Sequence, residues 1–227
     1  MARFKAILSD IDGTLTDSED VHRDGFVAIN RQLGVEFSPE EIEGGVGVAL
    51  KDKYEELKSR FNQDISYQDW ADRLAAYYVL HSDKVKVLPG VKPFLAKADQ
   101  AGMKIAAVTN AQKTEADINI GRLGNQADLV QFTLSVEDFP RPKPAPDGYL
   151  MGADKFGIDP KDILVLEDSP VGVAAAKAAG MTVIQIQKDP KLINKNADLI
   201  VESLDDPKVA AFVGLGPDLR SVPRMAG

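Results

Sequence analysis

Two pairs of acidic residues in this 227-residue chain stand where they could do chemistry. Asp10 and Asp12 follow the apolar run Phe4 to Leu8 and precede Gly13-Thr14, and Glu167 and Asp168 follow a second apolar run, Ile163 to Leu166. Carboxylates delivered within a few ångströms of each other repel unless a cation or a shared proton relieves them. A divalent metal does both, and hard oxygen ligands of this kind suit Mg²⁺. Gly13 permits a tight turn or close backbone approach, and the N–H groups of such a turn can meet an anion. Together these features point to phosphate chemistry. Asp-x-Asp-Gly alone is also the composition of a plain polar turn, so the assignment needs partners elsewhere.

Those partners are Thr109-Asn110, which end the apolar run Met103 to Val108, and Lys143, flanked by prolines in Arg141 to Pro146. Prolines on both sides restrict the backbone and can hold the ammonium in a fixed place. The chemistry assigns a role to each. Asp10 is the carboxylate nucleophile that attacks phosphorus, so that hydrolysis becomes formation and breakdown of an aspartyl phosphate. Asp12 protonates the leaving oxygen and later activates water. Asp10, Glu167 and Asp168 bind Mg²⁺, which bridges nucleophile and phosphoryl oxygens. Thr109, Asn110 and Lys143 bring a hydroxyl, an amide and a positive charge to the transferring group. Positioning and electrostatics are what phosphoryl transfer mainly requires.

The elements that must position these residues alternate between strand and helix after Pro89-Gly90. Apolar runs at Met103–Val108, Phe132–Leu134, Ile163–Leu166, Met181–Ile186 and Leu199–Val201 read as buried strands, with helices between them. Ser169-Pro170 is a cap followed by proline at the first helical position. Strands separated by helices predict a doubly wound parallel sheet, an α/β core of Rossmann-like type. Ligands bind such sheets outside the carboxyl ends of the strands, where the polar pairs would converge. Between Ser18 and about Lys86 the pattern is almost wholly helical: Ser18 to Gly34, a short turn from Ser38-Pro39 broken by Gly44 to Gly47, Val48 to Arg60, and a helix from Ser66 with Trp70, Leu74, Tyr77 and Tyr78 on its apolar stripe. The expected organisation is a core of residues 1–17 and 87–227 with an inserted α-helical cap of residues 18–86. The tail from Gly214 reads as irregular.

Composition narrows the function classes. Hydrophobic residues at 44% and charged residues at 27% describe a soluble globular protein. A formal charge of −8, from 27 Lys and Arg against 35 Asp and Glu, argues against general affinity for nucleic acid or an anionic membrane. The absence of cysteine excludes disulfides and thiol catalysis. Charged residues interrupt any signal-peptide pattern near the start, and the expected location is cytoplasmic.

The motifs Asp10-Ile-Asp12-Gly-Thr-Leu-Thr-Asp-Ser, Thr109-Asn110, Lys143-Pro-Ala-Pro-Asp-Gly-Tyr and Leu-Glu167-Asp168-Ser-Pro-Val-Gly resemble, in order, the four motifs of the haloacid dehalogenase superfamily. They span nearly the whole chain. The helical insert resembles that family's α-helical cap, and the nearest likeness is to the β-phosphoglucomutase-like sugar-phosphate phosphatases. The resemblance implies Asp10 as the phosphorylated nucleophile, Asp12 as the acid/base whose backbone carbonyl also helps bind Mg²⁺, and a cap that closes over a small phosphorylated metabolite. A second aspartate separates phosphatases and phosphomutases from the dehalogenases and phosphonoacetaldehyde hydrolases. The β-phosphoglucomutases hold a second phosphate with a cap arginine, whereas the corresponding stretch Gly44 to Lys51 here offers only Lys51.

The reading that follows is a Mg²⁺-dependent phosphatase of small phosphomonoesters, sugar or polyol phosphates. A phosphomutase is the alternative enzyme, and a sugar-phosphate-binding regulator without turnover is the alternative of another class. His22 resembles a family histidine near the hinge and is equally a structural hydrogen-bonder. His81 is expected at the surface, Trp70, Tyr77 and Tyr78 in the cap core, Lys51 and Arg73 on solvated helix faces, and Ser9, where the family often has an aromatic residue, to alter packing alone. The particular substrate and the oligomeric state are not readable from these residues.

Overall fold

The computed structural model describes residues 2–44 and 50–216. In chain order its elements are β1 (Ala6–Ser9), β2 (Thr16–Asp17), α1 (Glu19–Gln32), α2 (Pro39–Gly44), α3 (Leu50–Leu57), α4 (Tyr67–His81), β3 (Lys86–Val87), α5 (Val91–Gln100), β4 (Lys104–Val108), α6 (Lys113–Gly121), β5 (Val130–Leu134), α7 (Asp147–Phe156), β6 (Ile163–Glu167), α8 (Pro170–Ala178), β7 (Thr182–Ile186), β8 (Leu199–Val201) and α9 (Pro207–Val213). Packing divides them into Ser18–Val85 and a unit formed by Met1–Asp17 with Lys86–Gly227.

Six parallel strands in the order β5-β4-β1-β6-β7-β8 build the sheet of the second unit. This is the doubly wound α/β arrangement, with β1 at the point where the strand order reverses. Every residue of β1 is buried, because helices cover both faces and alternate side chains feed separate clusters. Ile7 packs with Phe94, Ile105 and Leu164 on one side, and Leu8 with Val108, Tyr149 and Val165 on the other. That is why these strands read as continuous apolar runs rather than alternating ones.

Register decides what meets at the strand ends. Ser9 lies level with Ala107 of β4 and with Leu166 of β6. Asp10, Val108-Thr109 and Glu167-Asp168 therefore emerge side by side. A small antiparallel ribbon of β2 and β3 pairs Thr16 with Val87, a feature too short for periodicity to reveal.

The helical unit has its own core. Trp70 is fully buried among Ile29, Leu33, Tyr54 and Ile65, and its Nε1 donates to Asn30 Oδ1 at 3.1 Å. Tyr78 is buried and Tyr77 half-buried, while Lys51 and Arg73 are exposed. His22 stacks on Tyr78 with ring centroids 4.5 Å apart. His81 departs from its expected surface position: it is half-buried, stacked on Tyr77 at 3.9 Å, with Nδ1 2.9 Å from the Tyr77 carbonyl. Ring stacking one helical turn apart explains the difference. Of the expected break at Gly44 to Gly47, Gly44 is the last residue of α2, and the remainder, the start of a helix at Val48 and the tail beyond Gly216 lie outside the described residues.

Candidate active site

Asp10 leaves β1 with its own N–H bonded to the Leu166 carbonyl at 2.9 Å. Ser9 contributes more than packing, because its buried hydroxyl donates to the Asp10 carbonyl at 2.7 Å. The Asp10 side chain meets Lys143, whose Nζ lies 2.6 Å from Asp10 Oδ1 and 2.6 Å from Glu167 Oε1. Glu167, the last residue of β6, is wholly buried. Its Oε1 also accepts from the Tyr149 hydroxyl at 2.9 Å, and its Oε2 from the Ser169 hydroxyl at 2.9 Å and the Ser169 N–H at 3.2 Å. Asp168 lies alongside: one carboxylate oxygen each from Asp10, Glu167 and Asp168 fall within 4.8 Å of one another.

Glycines make room for this crowding. Gly13 has φ +76°, and a Cβ there would overlap the Asp168 carboxylate. A Cβ on Gly172 in the first turn of α8 would overlap the carboxyl group of Glu167. The glycine of Ser169-Pro170-Val171-Gly172 is thus a space requirement of the acid two residues before Ser169.

The three expected phosphate-binding residues are each held by their own hydrogen bonds. Thr109 is buried and its Oγ1 accepts the Ala111 N–H at 3.0 Å, which leaves its own O–H to donate. Asn110 is turned to Lys143: its Oδ1 accepts the Lys143 N–H at 3.0 Å and its Nδ2 donates to the Lys143 carbonyl at 3.2 Å. The amide expected on phosphate clamps the main chain that carries the ammonium. The peptide between Lys143 and Pro144 in this clamped loop is cis. Asp12 stands outside the Asp10–Glu167–Asp168 group, and its Oδ1 accepts from Nδ2 of Asn119 on α6 at 2.8 Å.

Asn119 and Tyr149 touch the candidate site residues Asp12 and Glu167, and the motif reading gave neither a role. Asn119 occupies a core-facing slot in the spacing Ala116, Asn119, Ile120, Leu123, and a polar side chain in such a slot is the signal it carries. Tyr149 closes the motif Lys143-Pro-Ala-Pro-Asp-Gly-Tyr, which assigned it no role of its own.

Burial pushes the Asp10 carboxyl up to about 8 from its usual 3.8, Lys143 opposing and Glu167 and Asp12 reinforcing the rise. Burial, then the charges of Glu167 and Asp10, likewise raise Asp168 well above the carboxylate range. Burial works against the Lys143 ammonium, but Asp10 and Glu167 outweigh it and hold its pKa well above that of a free lysine. Crowding of three carboxyls around one ammonium thus favours protons on Asp10 and Asp168, which a cation would displace, and their oxygens form a donor set of the type that holds Mg²⁺.

A model of the haloacid dehalogenase-like hydrolases matches residues 4–180. The chain belongs to that family of hydrolases. It is similar to hexitol phosphatase A of Escherichia coli K12, 30% identical over 207 residues that cover 89% of this chain and 93% of the relative. It is 29% identical over 191 residues to protein CbbY of Rhodobacter capsulatus, covering 80% of this chain and 84% of the relative. A crystal structure of CbbY from Rhodobacter sphaeroides in complex with phosphate superposes with a TM-score of 0.82 at 24% identity, over 93% of this chain and 100% of that one, a likeness of fold. Among the described residues no helix is long and apolar enough to cross a membrane.

Proposed function

We propose that this hydrolase is a Mg²⁺-dependent phosphatase that cleaves small phosphomonoesters, of the sugar or polyol phosphate class, through an aspartyl phosphate on Asp10. The observation that carries the reading is the contact of Lys143 Nζ with both Asp10 and Glu167 at 2.6 Å, beside Asp168 at the carboxyl end of the sheet. A buried carboxylate is a nucleophile only while it is ionised, and the ammonium favours that form. Family membership and the hexitol phosphatase relative support the substrate class. The phosphomutase alternative is not favoured, since that relative is a phosphatase.

In this reading Asp10, Glu167 and Asp168, with the Asp12 carbonyl, would hold Mg²⁺, which when bound would supply positive charge to the phosphoryl oxygens and favour the ionised form of Asp10. Asp10 attacks phosphorus as the ester P–O bond breaks, and Asp12 gives its proton to the departing oxygen. Asp12 then takes a proton from water as that water attacks the phosphorus, releasing phosphate and restoring the Asp10 carboxylate. Lys143 and the Thr109 hydroxyl meet the charge on the transferring group. Asn110 holds the Lys143 backbone in place for that task. The inserted helical unit takes the part of the family's cap.

Phosphate release from a panel of small phosphomonoesters, with and without Mg²⁺ and with Asp10→Asn as control, tests the proposal. Release that requires both metal and Asp10 is the expected result. No release from any ester, or release that survives Asp10→Asn, overturns it.

A further inference from the structure

We propose that Gln185 and Gln187 are positioning residues of Asp168: their side-chain N–H groups hold its main-chain carbonyl and so fix where its carboxylate stands for the divalent cation. This deepens the proposed phosphatase reading and rests on its assignment of Asp168 to Mg²⁺.

Gln185 is a polar residue in an apolar strand. The sequence of β7 is Thr182-Val183-Ile184-Gln185-Ile186, and Gln185 is fully buried in it. It shares a face of the strand with Val183, which belongs to the cluster of Val165, Val173 and Ala176. An aliphatic side chain would fill such a slot without burying an amide, which is unfavourable unless the amide finds partners. Here the whole amide is used. Nε2 donates to the carbonyls of Asp168 and Leu192, each at 2.8 Å, and Oε1 accepts the Asn194 N–H at 2.8 Å. Two carbonyls beside the nitrogen and an N–H beside the oxygen admit one orientation of the group.

The place of Asp168 in the chain gives these bonds their purpose. Pairing of β6 with β7 ends at Glu167, opposite Gln185, so Asp168 lies one residue beyond it. Side chains hold its carbonyl instead, because Gln187 Nε2 donates to the same oxygen at 3.2 Å. Asn194 Nδ2 adds a bond to the Pro170 carbonyl at 3.0 Å. The turn from Asp168 to Pro170 is thereby tied at both ends to the segment that follows β7. On its other side the Asp168 carboxylate fits against Gly13, where a Cβ would overlap Oδ2. Anchored between these two, the carboxylate has little room to shift relative to Asp10 and Glu167. Mg²⁺ demands near-ideal octahedral oxygen geometry, so its affinity depends on such placement.

Metal affinity separates this role from a contribution to folding alone. Gln185→Met and Gln187→Met keep the length of the side chain and remove its N–H groups, and Val183→Ala is a packing control on the same strand. Two quantities are measured for each: the rise in Tm on titration with Mg²⁺ alone, and the Mg²⁺ concentration for half-maximal release of phosphate from p-nitrophenyl phosphate. Loss of a partner that orients a metal ligand costs about 10- to 100-fold in affinity. Gln185→Met should therefore need about 10-fold more Mg²⁺ in both measurements. Gln187→Met, whose contact is longer, should shift in the same direction by less, and Val183→Ala should lower the metal-free Tm with an unchanged Mg²⁺ requirement. Where Gln185→Met does not fold, Gln185→Asn, which keeps the amide but is one methylene shorter, takes its place. A wild-type Mg²⁺ requirement in either glutamine variant overturns the role of that residue, and an equal increase in Val183→Ala overturns both, with the phosphatase left intact. Wild type whose Tm and phosphate release do not respond to Mg²⁺ removes the proposed function and this inference together.

Discussion

The ammonium of Lys143 lies 2.6 Å from Oδ1 of Asp10, with the two side chains 4% and 10% exposed. A cation so placed does two things. It stabilises the ionised form that a nucleophile requires, and it is the counter-charge of a buried acidic cluster. Lys143→Met removes both. Breaking a buried pair by deleting one partner costs about 3–5 kcal/mol, which for a chain of this size lowers Tm by roughly 10 °C. Calorimetry should show that loss growing from pH 5 to pH 8, as the orphaned carboxyls are driven to ionise. A variant with wild-type Tm at pH 8 would show that the charges are balanced otherwise.

The raised carboxyl of Asp10 makes metal binding depend on pH. Its folded pKa of about 8 lies above the ordinary 3.8, so between these values the metal-free folded protein keeps a proton that the unfolded chain has released. Stability of the metal-free protein therefore falls as pH rises through that window, by up to about 1.4 kcal/mol per unit for one such group. A metal ion competes with that proton, so apparent Mg²⁺ affinity should increase toward pH 8. The measurement is Tm with EDTA and with Mg²⁺ at each pH unit from 5 to 8. The Mg²⁺-induced increase should widen with pH, and an increase independent of pH would contradict this account.

Tyr149→Phe keeps the ring beneath the Lys143 ammonium, which lies 5.0 Å from its centroid, and deletes only the hydroxyl on Glu167. A hydrogen bond to a charged group contributes about 1.5–3 kcal/mol. Denaturant unfolding should show a loss of that size while the Mg²⁺ requirement for phosphate release is retained. Unchanged stability would mean that Lys143 and Ser169 already satisfy Glu167.

Gly172→Ala and Gly121→Ala should have opposite consequences. Both glycines are helical, but an added Cβ meets the Glu167 carboxyl at the first and nothing within 4 Å at the second. Gly121→Ala should be neutral or stabilising by up to about 1 kcal/mol through helix propensity. Gly172→Ala must displace Glu167 from its three donor residues and should lower both Tm and phosphate release. Equal Tm values for the two variants would indicate that Glu167 has somewhere else to go.

Sequence alone determined the class of fold and the acids at its centre. Runs such as Ile163 to Leu166 are apolar throughout because both faces of the strand are covered, and helix lies between successive strands, which implies parallel pairing. Polar pairs that end such strands must meet outside the sheet, so Asp10, Glu167, Asp168 and Thr109 were legible as neighbours. Tertiary structure decided how they are wired. The clamp of Asn110 on the Lys143 backbone spans 33 positions, and the bond from Asn119 to Asp12 spans 107. A side chain's hydrogen-bond partner depends on the distance and angle between elements distant in sequence, and neither periodicity nor composition encodes these. Asn110 therefore read as a phosphate ligand, Ser9 as packing, and Asn119 drew no reading at all. Sheet register and the docking of α6 gave them their work.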